Sequence, residues 1–126
     1  GHVAAELVVT VAEDGFVTVI DRVKELIITG GYNVSPSEVE QVLVLHPDVE
    51  AAAVVGIRRS SGGEDVVAAV VMREGAHFDS TDLRDFVRPH LAAYKVPKRI
   101  VEVPDLPRSQ IGKVLRRSVR ESLSVR

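Results

Sequence analysis

The twenty residues 21–40, DRVKELIITGGYNVSPSEVE, constrain the fold more than any other stretch of the chain. An apolar, β-branched run over residues 23–29 reads as a strand. Gly30-Gly31 then allows a backbone path that side chains would block. Five residues on, Ser35-Pro36-Ser37-Glu38 is a helix start: Ser35 is the N-cap, Pro36 the first helical residue, and Glu38 the third, where it can close a capping box. A strand, a glycine reversal and a capped helix therefore follow one another with almost no slack between them.

The rest of the chain supplies elements to pack against this unit. Residues 7–20 read as a β-hairpin, with two β-branched stretches about the turn dipeptide Asp14-Gly15. Val39, Val42 and Leu43, then Leu45 or His46, continue the first helix at helical spacing. Pro47 ends it, because the residue before a proline avoids the helical region. Residues 49–56 and 66–72 are short apolar runs of the kind buried strands show, joined by a polar loop over 58–65 that contains Gly62-Gly63. Residues 80–94 read as a second helix capped by Asp79 or Ser80, with Leu83, Phe86, Val87 and Leu91 on one face and a kink or early break at Pro89. Residues 99–103 read as a strand, 104–112 as a loop, and 114–123 as a short basic helix. Hairpin elements precede the first helix, so the pattern predicts an α+β fold. Its expected form is a small mixed sheet packed by two to three helices, with an N-terminal β-hairpin, rather than a doubly wound parallel sheet.

Composition excludes several functions. At 126 residues the chain is one domain by length, and an apolar fraction of 45% with only 4% aromatics requires an aliphatic core. The net charge of -2 gives no global attraction to nucleic acid. There is no cysteine, which removes disulfides, thiol catalysis and thiolate metal sites and fits a cytoplasmic setting. No apolar run approaches the length of a transmembrane segment. His46, His77 and His90 do not have metal-ligand spacing, so no metal site is expected. Gly1-His2, with no initiator methionine, reads as a tag remnant, and the chain as a piece of something longer.

Six positively charged side chains and two glycines stand out chemically. Lys113, in Ser109-Gln110-Ile111-Gly112-Lys113, is either a solvated loop lysine or a point charge able to neutralise a developing oxyanion. It lacks the upstream glycine and the following Ser or Thr of a Walker loop. Arg22 is either a strand-edge arginine paired with an acid such as Glu25, or a fork of donors for a phosphate or ribose. Lys24 lies two residues further on. Gly30 and Gly31 serve either as a plain strand-to-helix turn or as a place where a ligand meets bare backbone. Lys113, Arg116, Arg117 and Arg120 form a basic stripe, but without interleaved aromatics it does not support a nucleic-acid role.

Taken together, DRVKELIITGGYNVSPSEVE, YKVPKRI and LPRSQIGKVLRR, in that order, resemble the C-terminal domain of the adenylate-forming superfamily, and its fatty-acyl-CoA ligase branch most. The resemblance covers nearly the whole chain, from about residue 14 to 123. It implies an ATP-dependent ligase working in two steps. A carboxylate and ATP, carried as the Mg complex, give an acyl-adenylate and pyrophosphate, and CoA then attacks to give an acyl-CoA and AMP. In such enzymes a large N-terminal domain holds most of the substrate sites, and the small C-terminal domain is a lid that rotates between the steps. By motif position, Lys113 matches the lysine needed for adenylate formation and Arg22 the arginine at the adenylate ribose. Lys24 matches the hinge, and Gly30 and Gly31 the loop that admits the pantetheine arm.

The expected layout is then a domain edge over 3–20, a hinge over 21–24 and a lid over 25–126, with Lys113 and the glycine loop on different faces. The alternative acceptor is a carrier protein rather than CoA. The full-length enzyme is expected in the cytoplasm, either free or peripheral to a membrane. One departure stands out. Where the family carries Thr-Gly-Asp ahead of the turn at Asp14-Gly15, this chain reads Ala4-Ala5-Glu6-Leu7, and no residue of that stretch takes the aspartate's role at the ribose hydroxyls.

Overall fold

The computed structural model of the chain describes residues 7–11, 17–22, 26–108 and 114–124. Its centre is a three-stranded mixed sheet. Strands β5 (Val49–Arg58) and β6 (Glu64–Met72) pair antiparallel, and β7 (Arg99–Glu102) joins the other side of β6 in parallel, with Val67 opposite Arg99. The sheet is covered on both faces, as the unbroken apolar run of β6 demands. Val66, Ala68 and Val70 face one layer, and Val67, Ala69 and Val71 face the other.

The first layer holds helix α1 (Pro36–Leu43), helix α2 (Ser80–Val87) and a short hairpin of β3 (Ile27–Thr29) and β4 (Tyr32–Val34). Its core is Ile27, Val34, Val39, Leu43, Leu83 and Val87, all nearly inaccessible to solvent. The second layer is helix α3 (Arg116–Ser124), which packs Val119 and Leu123 on the sheet together with Leu106. A separate antiparallel pair, β1 (Leu7–Val11) and β2 (Val17–Arg22), forms the N-terminal hairpin. The expected α+β architecture is the one observed.

Local chemistry explains the helix ends. Ser35 is extended, and its Oγ accepts from the Glu38 N–H; Asp79 does the same for the N–H groups of Thr81 and Asp82. Helix α2 stops at Val87, shorter than the expected 80–94. Pro89 turns residues Arg88–His90 into a 3-10 turn, and a second such turn, Ala93–Lys95, follows. Helix α3 begins two residues later than expected because Val114 is held in an isolated antiparallel bridge with Arg108. The expected strand over 23–29 is observed from Ile27; residues 23–25 lie outside the described residues. No helix among the described residues is long and apolar enough to cross a membrane.

Candidate functional site

Gly30 and Gly31 form a two-residue hairpin turn, closed by the Thr29–Tyr32 pair. They are not the strand-to-helix turn of the plainer sequence reading: β4 intervenes before α1. Both glycines have positive φ, 55° and 81°, the type I′ pattern whose twist suits adjoining strands. The hairpin is rooted by Ile27 and Val34, which are buried, while Ile28 and Tyr32 project outward. A Cβ placed on Gly31 would meet nothing within 4 Å, so the peptide backbone at this point is open to an approaching ligand.

An aromatic pair flanks the turn. Tyr32 stacks on Tyr94 with ring centroids 4.3 Å apart and planes 19° from parallel, although both rings stay accessible. Tyr94 is delivered by the 3-10 turn Ala93–Lys95, whose next side chain, Lys95, reaches back to α1 and binds both oxygens of Glu38 at 2.9 and 3.1 Å. The Lys95 ammonium also lies 5.7 Å from the Tyr94 ring centroid. Arg84 on α2 steadies the following segment by donating to the carbonyls of Pro97 and Lys98 at 3.2 and 2.9 Å. The YKVPKRI stretch is thus the piece that docks the glycine hairpin onto the helical layer. The result is open backbone beside an exposed aromatic surface and a cation, suited to a ligand that is extended at one end and planar or apolar at the other.

The second candidate region is the base of the loop that contains Lys113. Lys113 and Lys24 lie outside the described residues. The ends of the Lys113 loop are tied together by the Arg108–Val114 bridge and by the Leu115 N–H, which donates to the Pro107 carbonyl at 2.8 Å. Arg116 immediately follows. Its guanidinium donates to both carboxylate oxygens of Glu40, from Nε at 2.8 Å and from Nη2 at 2.7 Å, and Nη2 also reaches Ser37 Oγ at 2.8 Å. Glu40 Oε2 in turn accepts the Val54 N–H at 2.8 Å, satisfying a donor on the outer edge of β5. Both partners of the ion pair are largely covered, at 16% and 17% side-chain exposure. This corrects the basic stripe expected on the last helix. Arg116 points inward to an acid, and of the described members of the stripe Arg117 is the most exposed, beside Glu121 at 3.5 Å.

Arg22 is the last residue of β2, and its backbone pairs with that of Leu7. The glycine turn and the Lys113 loop are rooted on opposite faces of the central sheet. Ile27 and Val34 belong to one apolar layer, Leu106, Val114 and Val119 to the other. Among the described residues, no group of three or more His, Asp or Glu side chains converges as a metal site would. Sequence reasoning did not single out Tyr32, Tyr94, Glu38, Glu40 or Arg116 as functional neighbours. The two tyrosines carry a signal in hindsight, since they are the only Tyr residues of an aromatic-poor chain.

The chain was also compared with known proteins. The sequence model for the AMP-binding enzyme C-terminal domain matches residues 38–113. The 2-succinylbenzoate–CoA ligase of Geobacillus kaustophilus is 50% identical over 108 residues, 86% of this chain and 22% of that protein. The long-chain-fatty-acid–CoA ligase of Salmonella typhimurium is 43% identical over 109 residues, 86% of this chain and 19% of that protein. Among solved structures, the amide bond synthetase McbA from Marinactinospora thermotolerans superposes with a TM-score of 0.84 at 43% identity, covering 94% of this chain and 24% of that one. The chain spans about a fifth of the length of the curated relatives it matches.

Proposed function

Since the chain belongs to the family of AMP-binding enzyme C-terminal domains, we propose that it is the mobile lid of an ATP-dependent acid–CoA ligase, with a fatty acid as the acid and CoA as the acceptor. The observation that carries this reading is the type I′ turn at Gly30-Gly31, with open backbone and an exposed tyrosine pair beside it. A pantetheine arm is narrow, extended and rich in amides. It needs bare backbone to run along, and glycine provides it.

In this reading Lys113 serves the first half-reaction. Its ammonium offsets the negative charge that carboxylate and α-phosphate share as the adenylate forms. Arg22 contacts the ribose region of the adenylate, and Lys24 is the pivot of residues 25–126. The glycine turn serves the second half-reaction, after rotation has brought the opposite face of the lid to the catalytic domain. The rooting of the two loops on opposite faces of the sheet supports such a division of labour. ATP with its Mg ion and the acid are held mainly by the N-terminal catalytic domain of the whole enzyme. The acids named in the relatives differ at similar identity, which fits an acid pocket lying outside this domain.

The test uses Lys113→Ala in the full-length protein. Adenylate formation, followed as acid-dependent pyrophosphate release, is expected to fall by about 100-fold or more. Thioester formation from supplied acyl-adenylate and CoA is expected to stay within a few-fold of the parent. Equal loss of both steps, or of neither, would overturn the reading.

A further inference from the structure

Strand β3 carries the glycine turn, yet it belongs to a pair only three rungs long, too short to hold its own orientation in water. Something outside the hairpin must set its angle. The Ile28 N–H points away from β4 and donates to Glu64 Oε1 at 3.0 Å, 36 residues along the chain. Glu64 opens β6 and sits opposite Arg58 in the register. Its carboxylate lies in a notch above Gly56: a Cβ on residue 56 would come within 2.8 Å of the Glu64 carboxyl carbon and Oε2. The neighbouring loop contributes as well. The Arg59 side chain crosses Gly63, where a Cβ would stand 2.8 Å from Nη2 and 3.8 Å from the Ile28 carbonyl, and Arg59 Nη1 lies 3.5 Å from Asp65 Oδ1. The tip of the β5–β6 hairpin therefore meets the Ile28 backbone two residues before Gly30.

We propose that Glu64, seated over Gly56, is the positioning residue that fixes the Gly30-Gly31 turn for acyl transfer. The proposal rests on the functional reading above. Glu64 touches neither acceptor nor adenylate; it acts through the Ile28 peptide. A carboxylate there gives a charge-assisted bond to a backbone donor on the edge of β3 that β4 does not pair. Gly56 is required because any side chain would occupy the seat of that carboxylate.

Two measurements test this together. Amide hydrogen exchange in the chain itself reads the latch: Glu64→Leu is expected to speed exchange at Ile28 about tenfold, while Val54 and Ala68 in the central sheet are unchanged. In the full-length protein, the same variant is expected to lower kcat for thioester formation from supplied adenylate about tenfold, leaving pyrophosphate release within twofold. Glu64→Gln keeps an acceptor oxygen and is expected to recover most of both effects; Gly56→Ala is expected to reproduce the loss. Unchanged Ile28 exchange would overturn the latch. Faster exchange with both half-reactions intact, or equally reduced, would overturn its positioning role. Should Lys113→Ala fail to separate the half-reactions, the ligase reading falls, and Ile28 exchange still decides whether Glu64 holds the turn. Where Glu64→Leu lowers the yield of folded protein, Glu64→Gln against Gly56→Ala gives the same comparison.

Discussion

The two loops to which the proposed chemistry is assigned are held in place by different physics. The glycine turn takes its shape from its own backbone. Two positive φ angles close a tight reversal, and a single side-chain carboxylate with two buried residues sets its angle to the domain. The Lys113 loop is instead clamped at its base by tertiary charge pairing. One guanidinium, 76 residues away in sequence from its acid, binds both carboxylate oxygens and a serine. A turn programmed locally tolerates exposure and keeps bare backbone available. A clamp programmed at long range anchors the far end of a longer loop to helix α1, while backbone bonds between 107–108 and 114–115 close the loop. A lid that must present two loops in succession benefits from having them fail independently, and substitutions can show whether they do.

The largest effect is expected at the clamp. Glu40→Ala leaves the Arg116 charge largely covered with its main partner gone and also strips the acceptor from the Val54 N–H. Breaking one side of such a pair costs about 3 kcal/mol. For a domain of this size the melting temperature followed by circular dichroism should drop by roughly 10–20 °C. Arg116→Met leaves the Glu40 carboxylate without its cation but still accepting from the Val54 N–H, so it should cost less. Equal losses for the two variants would mean that the Val54 N–H bond adds nothing to the clamp.

The next effect belongs to the turn. Gly31→Val forces a β-branched residue to φ near 81°, a cost of about 1–2 kcal/mol, with no clash to add because the space beyond is open. Gly31→Asn should cost clearly less, since Asn tolerates the left-handed region. Thermal unfolding of the two variants separates backbone strain from loss of space. If Val and Asn are equivalent, the turn is not selecting glycine for its φ. In the full-length protein either variant should depress thioester formation while leaving adenylate formation within twofold.

The same contrast explains what could be read from the sequence. The start of α1 was legible because Ser35, Pro36 and Glu38 act within one turn of each other. The buried strands β5 and β6 were legible because both faces of β6 are apolar, which leaves an unbroken run. Pro89 announced the early end of α2. The Gly-Gly dipeptide announces a reversal, but β4 is only Tyr-Asn-Val, too short for alternation to declare it, so the sequence alone leaves open a direct path into the helix. The Glu40–Arg116 clamp left no local trace. Spacing alone put Arg116 in a solvated basic stripe, and only the packing of α3 across the sheet from the rest of the core turns it toward α1. Glu64 was hidden in the same way, inside a loop that reads as polar connector.

The smallest effect concerns the aromatic pair that borders the turn. Tyr32 and Tyr94 stack at 4.3 Å while 56% and 38% exposed, so much of their contact remains wet. Stacked pairs contribute about 0.5–1.5 kcal/mol beyond area burial, and the exposure here argues for the lower end. A double-mutant cycle of Tyr32→Leu and Tyr94→Leu should return a coupling of about 0.5 kcal/mol by urea unfolding. A coupling near zero would mean that the rings are neighbours without mutual preference, leaving Lys95 and Glu38 to dock the hairpin. Such weak coupling has a use in the proposed function. Rings that hold each other loosely can part for a planar group at little cost. Tyr94→Leu should then raise the KM for CoA several-fold in the full-length protein with kcat nearly unchanged, the opposite split to Glu64→Leu. That contrast separates a surface that binds the acceptor from a latch that orients the backbone beside it.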